Sequence, residues 1–247
     1  MKQIIILSGM LFLLISCSSE LAFEKRSFTK KTTLPCKKNC PEINVKIPFA
    51  KDVPVVADSI NKKVFLALKE IIYLEKKPFH STNYNELLAS FIQSYEKIQK
   101  EFPNDTFGWE GEINGDIIYQ SDSILNIRID HYTFTGGAHG YEGLQSLLFD
   151  PDTGKSISND KLFKNKNAFK AFAEKKFRAK YNIPENGSIN ATGFQFEEDK
   201  FELPQNIFYT DKGLLLHYNQ YEAASYSDGP KELFFPYTEI NEFLAIK

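Results

Sequence analysis

The sequence predicts an α+β fold of antiparallel sheets with helices packed on one face, arranged as two related sub-domains. Three observations point there. Apolar residues recur every third or fourth place in three segments bounded by caps and prolines. In several other segments they alternate singly, the period of a half-buried strand. The two kinds of segment also come in blocks (strand, two helices, strands, helix, strands) rather than in the one-for-one alternation that builds a parallel sheet. A chain of 247 residues, 42% hydrophobic, with 22 Phe and 12 Tyr against one Trp, has material for a real core that leans on aromatic rings.

Ile43, Val45, Ile47 and Phe49 alternate with polar residues or proline and predict the opening strand. Asp52 before Val53-Pro54 reads as a cap-and-proline helix start, and Val56, Ile60, Val64, Leu68 and Ile72 form a stripe down one face. A second helix starts at Asn83, with Glu86 three places on as in a capping box, and carries Leu87, Leu88, Phe91, Tyr95, Ile98 and Phe102 up to Pro103. Residues 107–120 read as strand broken by the turn pair Asn114-Gly115. In residues 124–134, Leu125, Ile127 and Ile129 point to a dry face and Asn126, Arg128 and Asp130 to a wet one. A strand over 144–149 ends in the turn Asp150-Pro151-Asp152-Thr153-Gly154. Residues 167–181 return to helix, with Phe169, Phe172, Ala173 and Phe177 on one side, and the tail holds strands at 207–209, 214–221 and 233–235, the first two joined by Asp211-Lys212-Gly213.

Lys2, an apolar run from Ile4 to Ile15 and then Leu14-Ile15-Ser16-Cys17 open the chain, and the run is too short to span a bilayer comfortably. Those last four residues resemble the lipobox of bacterial lipoproteins, in which a small residue before the cysteine permits cleavage and the thiol receives a diacylglycerol. The resemblance implies a signal peptide over residues 1–17, lipid on Cys17 as the membrane partner, and a body outside the cytoplasm. The alternative is an ordinary cleaved signal peptide with a chance cysteine. Residues 18–41, rich in Ser, Lys and Thr, read as a tether. Within it Cys36 and Cys40 are expected to form a disulfide, because nearby thiols outside a reducing compartment oxidise; a metal site is the competing reading, but the spacing is not that of a zinc knuckle and no His sits nearby. With 30 basic and 32 acidic residues interspersed, a formal −2, the chain lacks the basic stripe of a nucleic-acid binder.

The most distinctive stretch is Tyr132-Thr133-Phe134-Thr135-Gly136-Gly137-Ala138-His139-Gly140. Together with Phe149-Asp150-Pro151-Asp152-Thr153-Gly154-Lys155, Asp160-Lys161-Leu162-Phe163 and Phe235-Pro236-Tyr237-Thr238-Glu239-Ile240, it resembles the C-terminal domain of unknown function of the RsiV group of exported bacterial proteins, placed over residues 139–247. The preceding residues 42–138 resemble the PdaC-type N-terminal domain that accompanies it. The resemblance implies an envelope lipoprotein with a binding role, of which a lysozyme-sensing member is the best understood. The sequence shows no sigma-binding segment and no transmembrane helix, so signalling across a membrane does not carry over. Nor does deacetylation, because no pair of His at helical spacing exists to hold a metal.

Gly136, Gly137, His139 and Gly140 are the first candidate binding residues; the alternative is backbone geometry, with glycines permitting positive φ or close approach and His139 filling a polar pocket. His131 shares the parity of Leu125, Ile127 and Ile129 and reads as a hydrogen-bonded core histidine. Asp130, His131 and Ser123 or Ser146 make no triad, as neither serine sits in a nucleophile elbow. Glu110, Glu112 and Asp116 near Trp109 read as solvated acids beside a strand rather than as a sugar-hydrolysing pair. Tyr218, Tyr221 and Tyr226, with Glu222 around Ser227-Asp228-Gly229-Pro230, form a second candidate binding surface, or else cap the edge of the core. The expectation is a non-catalytic, lipid-anchored protein of the cell envelope, periplasmic or surface-exposed, that needs no cofactor or metal and binds a protein such as lysozyme or a peptidoglycan chain. A hydrolase or deacetylase-like enzyme using Asp130, His131 or His139, and a purely structural lipoprotein, are the alternatives.

Overall fold

The computed structural model describes residues 20–36, 39–73, 80–103 and 108–247. The expected signal peptide and the lipidation at Cys17 lie outside the described residues. Five strands, β1 (Ala22–Lys31), β2 (Glu42–Lys51), β3 (Glu110–Gln120), β4 (Leu125–Phe134) and β5 (Tyr141–Phe149), form one sheet in chain order. Every neighbouring pair is antiparallel except β2 and β3, which run parallel because α1 (Pro54–Ile72) and α2 (Tyr84–Glu101) carry the chain back between them. A second sheet of β6 (Asn206–Thr210), β7 (Gly213–Tyr218) and β8 (Lys231–Pro236) is covered by α3 (Lys166–Lys180) and followed by the short α4 (Tyr237–Ile240).

Each sheet has its own core. The full α1 stripe, Val56, Ile60, Val64, Leu68 and Ile72, is buried with Leu87, Leu88 and Phe91 of α2 against Ile43, Val45 and Ile47 of β2 and Leu125, Ile127 and Ile129 of β4. The second core is aromatic: Phe177 of α3 packs against Phe194, Phe196, Phe201 and Tyr218 with ring centroids 4.8 to 5.7 Å apart. Helix starts follow local chemistry. Asn83 Oδ1 accepts from Glu86 N at 3.0 Å, while Glu86 reaches back to Thr82 N and Oγ1, one place further than a standard capping box. At α1 the cap is Val53 and no side chain bonds it; Asp52 adopts φ +72° instead, so Pro54 in the first turn sets the start.

The structure corrects several expectations. Residues 18–41 are not simply a tether, because β1 lies within them and pairs with β2 from Ala22↔Lys51 to Lys31↔Glu42. Its polar sequence suits an edge strand with one hydrogen-bonding partner, and its apolar contacts come from Phe28 stacked on Tyr84 at 4.5 Å and the Arg26 guanidinium 3.4 Å over the Phe49 ring. The connection that follows β1 carries a disulfide between Cys36 and Cys40, Cα atoms 5.6 Å apart. Asn114-Gly115 makes no turn: β3 runs through it, pairing with Asp130 and Ile129, so ladder bonds on both sides override local turn preference. A domain boundary at 138/139 would cut the first sheet, whose last strand is β5. At the end of α2, Ile98 is 38% and Phe102 61% exposed, so the stripe read from the sequence is not buried to its end.

On the face of β4 read as wet, Arg128 and Asp130 are part-exposed and pair with each other, but Asn126 lies in the joint between the two sheets. Asn126 is fully buried; its Oδ1 accepts from Tyr209 N of β6 at 2.9 Å, and its Nδ2 donates to Ser146 Oγ at 2.9 Å and Leu147 O at 3.2 Å. Strand β5 is an edge, and side chains from the second sheet occupy its outward backbone groups. Ser146 N donates to Asn206 Oδ1, Leu144 N to Asn219 Oδ1, and Asn219 Nδ2 returns a bond to Leu144 O, all at 2.9 Å. Ser146 Oγ donates to Ile207 O at 2.7 Å. Replacing Asn126 by Ala strands Tyr209 N and leaves Ser146 Oγ without its donor in a dry joint, at about 1–3 kcal/mol for each unpaired group. Urea unfolding of Asn126→Ala should therefore show a loss of roughly 3 kcal/mol; a variant as stable as the parent would show that the joint does not depend on this amide.

Candidate binding site

Where β4 and β5 meet the end of β7, the two sheets enclose a cleft of about 370 Å³. Strand alternation builds one wall. Glu112 and Asn114 of β3, Asp130 and Tyr132 of β4 and Glu142 and Leu144 of β5 stand on the sheet face away from α1 and α2, in register through Glu112↔Tyr132↔Glu142 and Asn114↔Asp130↔Leu144. The turn after β7 closes it with Asn219 and Gln220, and His217 lies behind. That turn is held by Glu222, whose carboxylate accepts from Asn219 N at 2.9 Å and Gln205 N at 2.6 Å; burial raises its pKa above the ordinary carboxylate value, with both bonds opposing.

Two imidazoles border the cleft and differ. His217 is buried, and both ring nitrogens face oxygens, Glu232 Oε1 at 2.8 Å and Asn219 Oδ1 at 3.2 Å. The Asn219 amide is oriented by its bonds to Leu144, which turns its oxygen towards the ring. His131 is part-buried on the other face of β4 beside Tyr141, and its buried Nδ1 has no partner. Burial pushes its pKa down to about 4, with the nearby Asp130 opposing. The ring fits because residue 143 is glycine: a Cβ there would stand 2.8 Å from His131 Nε2 and 3.3 Å from Asn219 Oδ1.

Above the cleft lies an aromatic rim organised by Gly140. The carbonyl of Gly140 accepts from Tyr226 Oη at 3.2 Å and from His139 Nδ1 at 2.8 Å, so Nδ1 is a donor there. The His139 and Tyr226 rings stack at 3.8 Å, with Tyr221 5.7 Å from Tyr226. A Cβ on Gly140 would come within 2.6 Å of the Tyr132 ring and hydroxyl, so only glycine lets that ring lie across it. Tyr132 is 37% and Tyr221 59% exposed.

Of the residues singled out from the sequence, the fold therefore brings together His139, Gly140, Tyr221 and Tyr226. Gly136 and Gly137, at φ +98° and +90°, shape the connection into the rim, and a Cβ at either would meet only open space. Tyr218 does not belong: it is buried in the second core and its hydroxyl donates to Glu202 O at 2.7 Å, because β7 parity turns it inward. His139 fills no polar pocket but lies exposed on Tyr226. Asp130 pairs with Arg128 at 2.9 Å and Ser146 is committed to the joint, so no Ser-His-Asp set forms. Sequence reasoning missed Tyr132 as a rim residue, Glu142, and Asn219-Gln220; Glu112 was visible but read as a solvated acid.

The comparisons fit this two-sheet arrangement. Residues 156–238 match the family of proteins of unknown function DUF3298. Residues 35–142 match the family described as Deacetylase PdaC. The resemblance read from the sequence motifs holds over these two stretches. A crystal structure of a DUF3298 family member from Bacteroides fragilis superposes with a TM-score of 0.64 at 20% identity, covering 92% of this chain and 95% of that one. One from Pseudomonas aeruginosa gives 0.63 at 22% identity, over 93% and 95%. At these identities the likeness is one of fold. No curated protein matches the chain.

A neutral His131 makes stability pH-dependent. Its folded pKa lies below the unfolded value, so the unfolded chain takes up the proton first; the contribution is complete above about pH 6.5 and falls away as pH drops towards 4. Unfolding free energies measured from pH 7 to pH 4 should fall by on the order of 2 kcal/mol more for the parent than for His131→Gln. Equal slopes would place the imidazole in solvent.

Proposed function

We propose that the chain is a non-catalytic, lipid-anchored protein of the bacterial cell envelope that binds a cell-wall glycan chain in the cleft between its two sheets. The aromatic rim carries this reading. Tyr132, the stacked His139–Tyr226 pair and Tyr221 offer flat apolar faces with polar edges beside a cleft that carries amides and carboxylates. Such rings cover the C–H faces of sugars at low entropic cost while amides and carboxylates bond the hydroxyls.

The chemistry of the site supports binding over turnover. Asp130, His217 and Ser146 are each committed to partners within the fold, and the unpartnered His131 Nδ1 is buried rather than turned on a nucleophile. Among the described residues no group of three or more His, Cys, Asp or Glu is placed to hold a metal ion, the requirement of a deacetylase of the metal-dependent kind. An address in the envelope rests on the lipobox-like Leu14-Ile15-Ser16-Cys17 behind its apolar run. No helix among the described residues is long and apolar enough to cross a membrane. In this reading lipid on Cys17 supplies the attachment.

The test is calorimetric titration of the full chain, solubilised in detergent, with soluble peptidoglycan fragments, alongside an assay for their cleavage or deacetylation. Saturable binding without change to the fragments is expected. Tyr132→Ala and Tyr226→Ala should each weaken binding about fivefold. Gly140→Ala, which only makes the flexible end of Tyr132 swing aside, should weaken it similarly with stability nearly unchanged. Turnover of the fragments, or affinity indifferent to all three substitutions, would overturn the reading.

A further inference from the structure

The charge of the cleft is unbalanced in one direction. Its wall carries the carboxylates Glu112, Asp130 and Glu142, and no Lys or Arg lines it. Asp130 is answered by Arg128, and the His217 ring is held by Glu232 and Asn219. Glu112 and Glu142 receive only amide hydrogen bonds, from Asn114 Nδ2 at 3.2 Å and Gln220 Nε2 at 3.3 Å, and among the described residues neither has a cationic partner. They stand on either side of Tyr132, in register with it across three strands.

A second, independent feature points the same way. Gln220 lines the cleft, is only 7% exposed, and spends its Nε2 on Glu142. That bond fixes the amide so that Oε1, a pure acceptor, is the atom left over, and it is buried without a partner. A buried acceptor without a donor is unfavourable and native folds rarely keep one without a use. Two carboxylates without cations and one amide oxygen without a donor, grouped in one cleft, call for a ligand that is all donor at its tip and positively charged: an ammonium group.

We infer that this cleft recognises an amino sugar whose amine is free, its ammonium held by Glu112, Glu142 and Gln220 Oε1 and its ring laid on Tyr132. The inference rests on the glycan-binding reading and sharpens it from sugars in general to de-N-acetylated ones. Acetylation would remove the charge, replace two donors by a methyl carbonyl, and turn an acceptor towards acceptors. The cleft volume, about 370 Å³, and the tyrosine face favour a sugar ring over a lysine side chain, which would leave the aromatic rim uncovered.

Calorimetric titration of the full chain in detergent with three probes decides this: the glucosamine tetramer, its fully N-acetylated counterpart, and tetralysine, in mildly acidic buffer where the amines are charged. The free-amine tetramer should bind about tenfold tighter than the acetylated one, with the gap narrowing in salt. In the Glu112→Gln/Glu142→Gln double variant the gap should close while binding of the acetylated tetramer persists, which also shows that the variant is folded; Gln220→Leu should narrow the gap on its own. Equal or tighter binding of the acetylated tetramer overturns the inference and leaves glycan binding standing. Tetralysine matching the free-amine tetramer overturns the sugar assignment in favour of a cationic peptide. No binding of either tetramer overturns both this inference and the glycan reading beneath it.

Discussion

The fold depends on how the edge strand β5 is closed. An edge strand exposes a row of backbone donors and acceptors, and here no further strand covers them. Instead Asn206 of β6 and Asn219 of the turn after β7 reach across as side-chain substitutes for a neighbouring strand, while Asn126 reaches back from β4 to Tyr209 N. Amides suit this task because each offers one acceptor and two donors in a plane, the complement of a peptide group. Backbone pairing would have continued one sheet; amide bridging joins a second sheet to the first and leaves room beside the joint.

That room is the cleft, and its contents follow from the same joint. Asn219 is bonded to Leu144 and also faces His217, so the residue that closes the edge orients a cleft imidazole. Glu222 holds Asn219 N, and the turn so fixed presents Gln220. Two close approaches need glycine for the site to exist at all: Gly143 admits His131 and Gly140 admits Tyr132. The part-buried neutral His131 and the buried, unpaired oxygen of Gln220 are unfavourable features of the folded state, and both lie at this one place.

The sequence made the elements legible wherever one face of a helix or strand meets a core. The α1 stripe, the Leu125-Ile127-Ile129 alternation and the hairpin at Asp211-Lys212-Gly213 all depend on local periodicity and turn chemistry, which sequence displays directly. Strand β1 was not legible, because an edge strand paired on one side can be almost entirely polar. The continuity of β3 through Asn114-Gly115 was hidden for the opposite reason: two neighbouring strands supply ladder bonds that outweigh a local turn signal. In the site, the Gly-rich corner and the tyrosine loop announced themselves by composition, yet only the fold shows that His139 and Tyr226 stack while Tyr218 turns inward. Glu112 and Glu142 could not be paired from sequence, since what joins them is the register of β3 and β5 on either side of Tyr132.

Native-state hydrogen exchange of three amides, Leu144, Ser146 and Tyr209, tests most directly whether side-chain amides close the edge and fix the two sheets together. If they do, these protons exchange only in openings close in free energy to global unfolding, like those of the central strand β4. Exchange as fast as that of the exposed Gly137 amide, in a chain that is otherwise folded, would mean that the joint opens freely and that the cleft beside it has no fixed shape.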